Sequence, residues 1–281
     1  PDQNNQRVRQ NILNAGIYAQ LQTKLFTGFE LMAGLRLDNA TYFNKGNFSQ
    51  LVYDELGLRT DNGLSTFQIQ PRVQITWDFN DKHTDILRIG GGIFASDINN
   101  YAMINNMVFD GTKVMSVDIK NTEEEPDIVP TPDFIGYRKD PSTAPGIDLL
   151  NNPKYADKAV PTINMNSKDA KVPVVYKANI SYTHFFSDRL KMSVSGYMTL
   201  GRNNYMYIDR NMVDDPYFRL SAEGNRGIYV PASTIGKDGT LDWMEGRKST
   251  KVGRVLELVS EGKVNQFAFT VDGTWRYYKD G

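Results

Sequence analysis

Residues 67–79 alternate without a break. Phe67, Ile69, Pro71, Val73, Ile75, Trp77 and Phe79 share one phase, and Gln68, Gln70, Arg72, Gln74, Thr76 and Asp78 the other. A strict period of two predicts a strand with one apolar and one polar face. Its length exceeds the about five to six residues usual in soluble sheets. It suits the roughly nine to eleven needed to cross a bilayer at a tilt of about 45°. The same alternation predicts strands near 15–25, 29–42, 67–79, 86–96, 174–186, 190–208 and 264–278.

The apolar phase of these strands, with Leu31, Leu35 and Ile180 among its members, carries no Asp, Glu, Lys or Arg. The other phase carries Lys24, Glu30, Arg36, Asp38, Arg88, Lys177, Lys191, Asp272 and Arg276. Lys or Arg on a lipid face near mid-bilayer costs about 2–4 kcal/mol. The charge-free phase therefore reads as lipid-facing, and Gln70, Arg72, Gln74 and Arg88 read as lumen-facing. A soluble sandwich would also segregate its faces, so the connections matter more. They alternate short and long: 26–28, 43–66, 80–84, 97–172, 187–189 and 201–263. Outer-membrane barrels have short periplasmic turns and long extracellular loops in this alternation. Aromatics agree, with Phe29, Trp77, Phe79, Phe186, Trp275 and Tyr277 beside the short turns and Phe67, Tyr176 and Phe267 beside the long loops. The expected fold is all-β, a transmembrane antiparallel β-barrel with long extracellular loops.

Seven strands are an odd number, and bacterial barrels close with an even one. The chain opens on Pro1-Asp2-Gln3-Asn4-Asn5 without a basic start and apolar run, so no signal peptide is read. The expectation is a fragment of a larger barrel, with Arg254–Ser260 as the outer part of a ribbon leading into the last strand.

Composition narrows the alternatives. The mean hydropathy of −0.47 is compatible with a barrel, whose alternation hides its apolar content. A formal net charge of −1 gives no electrostatic case for nucleic acid. The absence of cysteine removes disulfides and thiolate metal sites. With His83 and His184 the only histidines, a histidine triad or histidine metal cluster is not expected, and no cofactor or enzymatic activity is read. Glu123, Glu124, Glu125 and Asp127 could gather a hard cation such as Ca²⁺, although an acidic run is more often a solvated loop. Asp209, Asp214 and Asp215 form a second such cluster. At the expected outer mouth, Asn203, Asn204, Tyr205 and Tyr207 offer aromatic faces with polar neighbours, suited to carbohydrate or peptide ligands. The plainer alternative is that such tyrosines pack the loops.

Gly16-Ile17-Tyr18-Ala19-Gln20, Gly34-Leu35-Arg36-Leu37-Asp38, Gln70-Pro71-Arg72-Val73 and Arg88-Ile89-Gly90-Gly91-Gly92-Ile93-Phe94 follow one another in an order that resembles TonB-dependent receptors. The likeness is strongest to the large receptors of Bacteroidetes, of the Oar-like and SusC-like branch. It implies a 22-stranded barrel with an N-terminal plug, energised through the TonB complex, that imports a glycan, peptide or metal chelate too large for porins. A surface-exposed lipoprotein is a further implied partner. Neither plug nor TonB-contacting segment is read in these residues. The alternative is a non-transport scaffold or secretion-associated component using the same barrel.

Overall fold

The computed structural model describes residues 7–79, 81–95, 100–116, 121 and 160–277. In chain order the elements are β1 (Ile12–Phe26), β2 (Phe29–Tyr42), α1 (Gln50–Leu56), β3 (Gln68–Asp78), β4 (Asp85–Ala95) and α2 (Asn100–Val108). They continue with β5 (Asp110–Ser116), β6 (Val160–Asn166), β7 (Val174–Phe185), β8 (Leu190–Asp209), β9 (Phe218–Leu220), β10 (Arg226–Ile228) and β11 (Val255–Trp275). Nine strands form one sheet in the order β1-β2-β3-β4-β7-β8-β11-β6-β5, and β9 and β10 form a separate hairpin.

Register preserves the alternation across the wall. Leu37 pairs with Ile17 and Ile69, Ile75 with Leu31 and Ile89, Ile180 with Ile89 and Gly196, and Val194 with Tyr182 and Val271. The apolar phase of each strand thus meets the apolar phase of the next, because a slip of one residue would turn a whole strand over. That face is uncovered among the described residues: Ile17 is 69%, Phe267 72% and Phe269 70% exposed. A sandwich would have buried these side chains under a second sheet. At the end with the short connections Phe26, Phe29, Trp77, Phe79 and Tyr182 make a run of ring contacts at centroid separations of 4.7 to 6.3 Å.

One expectation about this face needs correction. β4 begins at Asp85, in phase with Leu87 and Ile89 and paired with His184. The apolar phase therefore does carry an acid, at its aromatic rim. Tyr182 Oη donates to Asp85 at 2.5 Å, and His184 Nδ1 lies 2.6 Å from the same oxygen.

β8 and β11, of 20 and 21 residues, far exceed the roughly ten that cross a bilayer. β11 starts at Val255 and runs without interruption, so the 254–260 ribbon and the last strand are one element. A bulge sits where the two strands leave the spanning layer. There Asn203 adopts φ 59° and Asn204 faces Gly262, whose place a Cβ would occupy only 2.9 Å from the Asn204 backbone oxygen. Glycine is required by that close approach.

Beyond the bulge lies the packed core. Val52 of α1, Ile163 and Met165 of β6, and Val252 and Val255 are at most 1% exposed, with Leu56 and Leu58 against them. α1 is capped by Ser49, whose Oγ accepts from Val52 N, and closed by Gly57 at φ 70°. β6 pairs parallel to the first residues of β11. Asn211, fully buried, lies 2.8 to 2.9 Å through Nδ2 from the carbonyls of Ser249, Val252 and Gly253 and accepts from Ser249 N. The long connections thus build, among the described residues, an ordered outer cap with its own strands and helices.

Candidate functional site

The polar face of β1 to β4 closes around a salt-bridged network toward the cap. Arg36 holds Asp38 with two hydrogen bonds, Nε at 2.6 Å and Nη2 at 2.9 Å. Gln70, only 7% exposed, donates to Asp38 Oδ2 at 2.7 Å and accepts from Ala95 N at 3.2 Å. One buried amide thereby ties β2 to the end of β4. An open pocket of about 730 Å³ lies over this network, lined by Asn14, Arg36, Asp38, Tyr42, Gln70 and Asn100 among others. Tyr42 Oη donates to Asn100 Oδ1 at 2.6 Å and so joins β2 to the start of α2. The size is that of a small-molecule site. Of its residues Gln70 is the one the sequence reading places on the lumen side by name, while Arg36 and Asp38 read as charged members of the polar phase of β2. Tyr42 was legible as the last polar-phase residue of β2, but its junction with Asn100 joins segments 58 residues apart.

The residues expected at the outer mouth divide into two pairs. Asn203 and Asn204 shape the bulge. Tyr205 and Tyr207 stand beyond it, and the Tyr205 hydroxyl is buried without a hydrogen-bond partner. Burial, with the hydroxyls of Tyr42 and Tyr207 adding, pushes Tyr205 up to about 12. Tyr207 is raised by burial and by Tyr101. Tyr205 and Tyr207 therefore belong to one cluster with Tyr42 and Tyr101.

Gln74 and Arg88 lie exposed on the same face as Gln70, and the Arg72 guanidinium stacks 4.6 Å from the Phe94 ring centroid. Glu123, Glu124, Glu125 and Asp127 lie outside the described residues, as does most of the longest connection. Among the described residues no group of three His, Cys, Asp or Glu could hold a metal ion. Asp209 is salt-bridged to Arg247, and Asp214 to Lys248 at 2.6 Å, so these acids pair with cations instead of with each other. A second pocket of about 750 Å³ in the cap is lined by Leu56, Leu58 and Met165 with a charged rim.

No protein-family model and no curated protein matches the sequence. Among solved structures, the outer membrane transporter YddB from Escherichia coli is similar at a TM-score of 0.50 and 12% identity, over 93% of this chain and 21% of that one. The FrpB iron transporter from Neisseria meningitidis gives 0.47 and 9%, over 96% and 24%. The siderophore receptor PirA from Pseudomonas aeruginosa gives 0.41 and 10%, over 96% and 32%. The chain thus spans between about a fifth and a third of the length of these proteins. Together with the coherent apolar phase, the likeness to YddB shows the fold: the sheet is a portion of the wall of a transmembrane β-barrel.

Proposed function

We propose that this chain is part of a TonB-dependent receptor of a Gram-negative outer membrane, which imports a nutrient too large for porins with energy drawn from the inner membrane. The observation that carries the reading is the pocket on the polar face between Arg36, Asp38, Gln70 and Tyr42, beside the tyrosine cluster and beneath an ordered cap. A wall of this kind with a ligand-sized recess at its outer end suits capture before passage. The ordered motifs from Gly16 to Phe94 favour the Oar-like and SusC-like branch. On this reading the TonB complex engages a plug, a surface-exposed lipoprotein is a further partner, and the ligand is a glycan, peptide or metal chelate. Gln70 faces the pocket, with Arg72, Gln74 and Arg88 on the lumenal wall below it and Tyr205 and Tyr207 above.

The test is uptake in cells producing the full-length protein. A ligand retained by the purified receptor should accumulate in energised cells, and accumulation should stop when the proton gradient is collapsed or TonB is deleted. Accumulation that continues under both conditions removes energised import.

A further inference from the structure

We infer that the polar face of β3, β4 and β7 carries an anion-binding groove, lined by Arg72, Arg88 and Lys177, for a carboxylate or phosphate group of a small ligand. Its place inside a transport lumen rests on the proposed uptake role. The groove follows from register. Gly92 pairs with Arg72 on one side and Lys177 on the other, and Gly90 with Gln74 and Asn179. In two successive rows of this face the middle strand therefore has no side chain while both neighbours are polar. Strand spacing puts the flanking backbones about 10 Å apart.

The neighbours lean into that space. A Cβ on Gly92 would stand 3.1 Å from Arg72 Cγ, and one on Gly90 would stand 2.6 Å from Asn179 Oδ1. The charged heads then converge on one ring, with the Arg72 guanidinium carbon 4.6 Å and Lys177 Nζ 5.9 Å from the Phe94 centroid. Arg88 lies two residues before Gly90 on the same face, between Thr76 and Ser181.

Arg72 and Lys177, facing each other across Gly92, repel one another; Arg88 lies about 13 Å further along the same face, and among the described residues none of the three has a carboxylate within salt-bridge distance. Arg36, Arg210, Arg247 and Lys248 each have one. Asp38 and Asp78, acids of the same face, are held by Arg36 with Gln70 and by His83. An anion is the missing partner. The guanidinium fork suits the paired oxygens of a carboxylate or phosphate, and the amides of Gln74 and Asn179 supply further donors.

The full-length protein in non-ionic detergent is titrated calorimetrically with citrate and with inorganic phosphate at low salt. Saturable binding of at least one is expected, falling steeply as NaCl is added. Arg72→Gln and Lys177→Gln should each weaken it about tenfold or more. Arg72→Lys, which keeps the charge and loses the fork, should fall between, and Arg219→Gln, an exposed cation of β9, should leave it unchanged. Failure of both probes to bind overturns the groove, as does binding that neither glutamine variant weakens. If neither probe binds and both glutamine variants lower the Tm, a carboxylate of the protein itself neutralises the cations, and the ligand site is again refuted. Binding in micelles needs no energy source, so failed uptake leaves the groove intact and a failed titration leaves the uptake reading intact.

Discussion

His184 Nδ1 lies 2.6 Å from Asp85 Oδ1 across the β4–β7 pairing, on the face that is otherwise apolar through these strands. The His184 ring also packs edge-on against Phe186 at 4.4 Å. A carboxylate at the rim of a lipid-facing wall is tolerable when it is hydrogen-bonded, and here Tyr182 and His184 both engage Oδ1. His184→Leu should lower stability by leaving Asp85 short of one partner. Adding Asp85→Leu should recover part of that loss, since a polar pair on a lipid-facing wall replaced as a whole costs less than one broken. Urea unfolding in lipid vesicles reads the cycle, and a double variant no more stable than His184→Leu alone refutes the coupling.

Val73 and Gln74 are neighbours on opposite faces of one strand, and Val73 is 44% exposed on the apolar one. Val73→Arg should destabilise the barrel by about 2–4 kcal/mol if it meets mid-bilayer. Gln74→Arg should cost far less. Folding yield and unfolding midpoint in vesicles give the comparison, and equal effects at the two positions would reverse or abolish the lipid-face assignment.

The chain contains no cysteine, so single cysteines report sidedness cleanly. Asp188 stands in the short turn between β7 and β8, and Asn225 in the hairpin of β9 and β10. On intact cells an impermeant thiol reagent should label a cysteine at 225 and not one at 188. The opposite pattern inverts the topology.

Asp110, 1% exposed in the cap, gives a pH dependence with a definite sign. Burial alone would raise its pKa, but Lys113 and the Thr112 hydroxyl and backbone N–H hold it below the usual 3.8. A carboxyl depressed in the folded state stabilises that state above its unfolded pKa. This contribution should be complete above about pH 5 and disappear as pH falls through the depressed value. Limited proteolysis of the cap should therefore accelerate on acidification in the wild type, and Asp110→Asn should flatten that response. An acid response unchanged by the substitution would assign it to other carboxylates.

The spanning wall was legible in the sequence because its physics is local. A period of two needs only neighbouring residues to declare a face, and the cost of charge in lipid clears the middle of that face of cations, leaving Arg202 toward the outer end of β8. Once each strand has a parity, pairing like faces leaves little freedom in register. That is why Ile75 meets Ile89 and Ile89 meets Ile180. Asp85 escaped this logic because its partners come from another strand.

The cap and the polar-face sites were decided by tertiary structure. Ser249 donates to Glu55, 194 residues away, and Asn62 to the Asn166 carbonyl, 104 residues away. No periodicity announces such contacts, since the segments that make them are stapled by single side-chain hydrogen bonds and not by a repeating face. The Arg72, Lys177 and Phe94 arrangement is intermediate. Their phase was readable, but their convergence depended on Gly92 standing opposite both cations at once, which only the pairing of three strands could bring about.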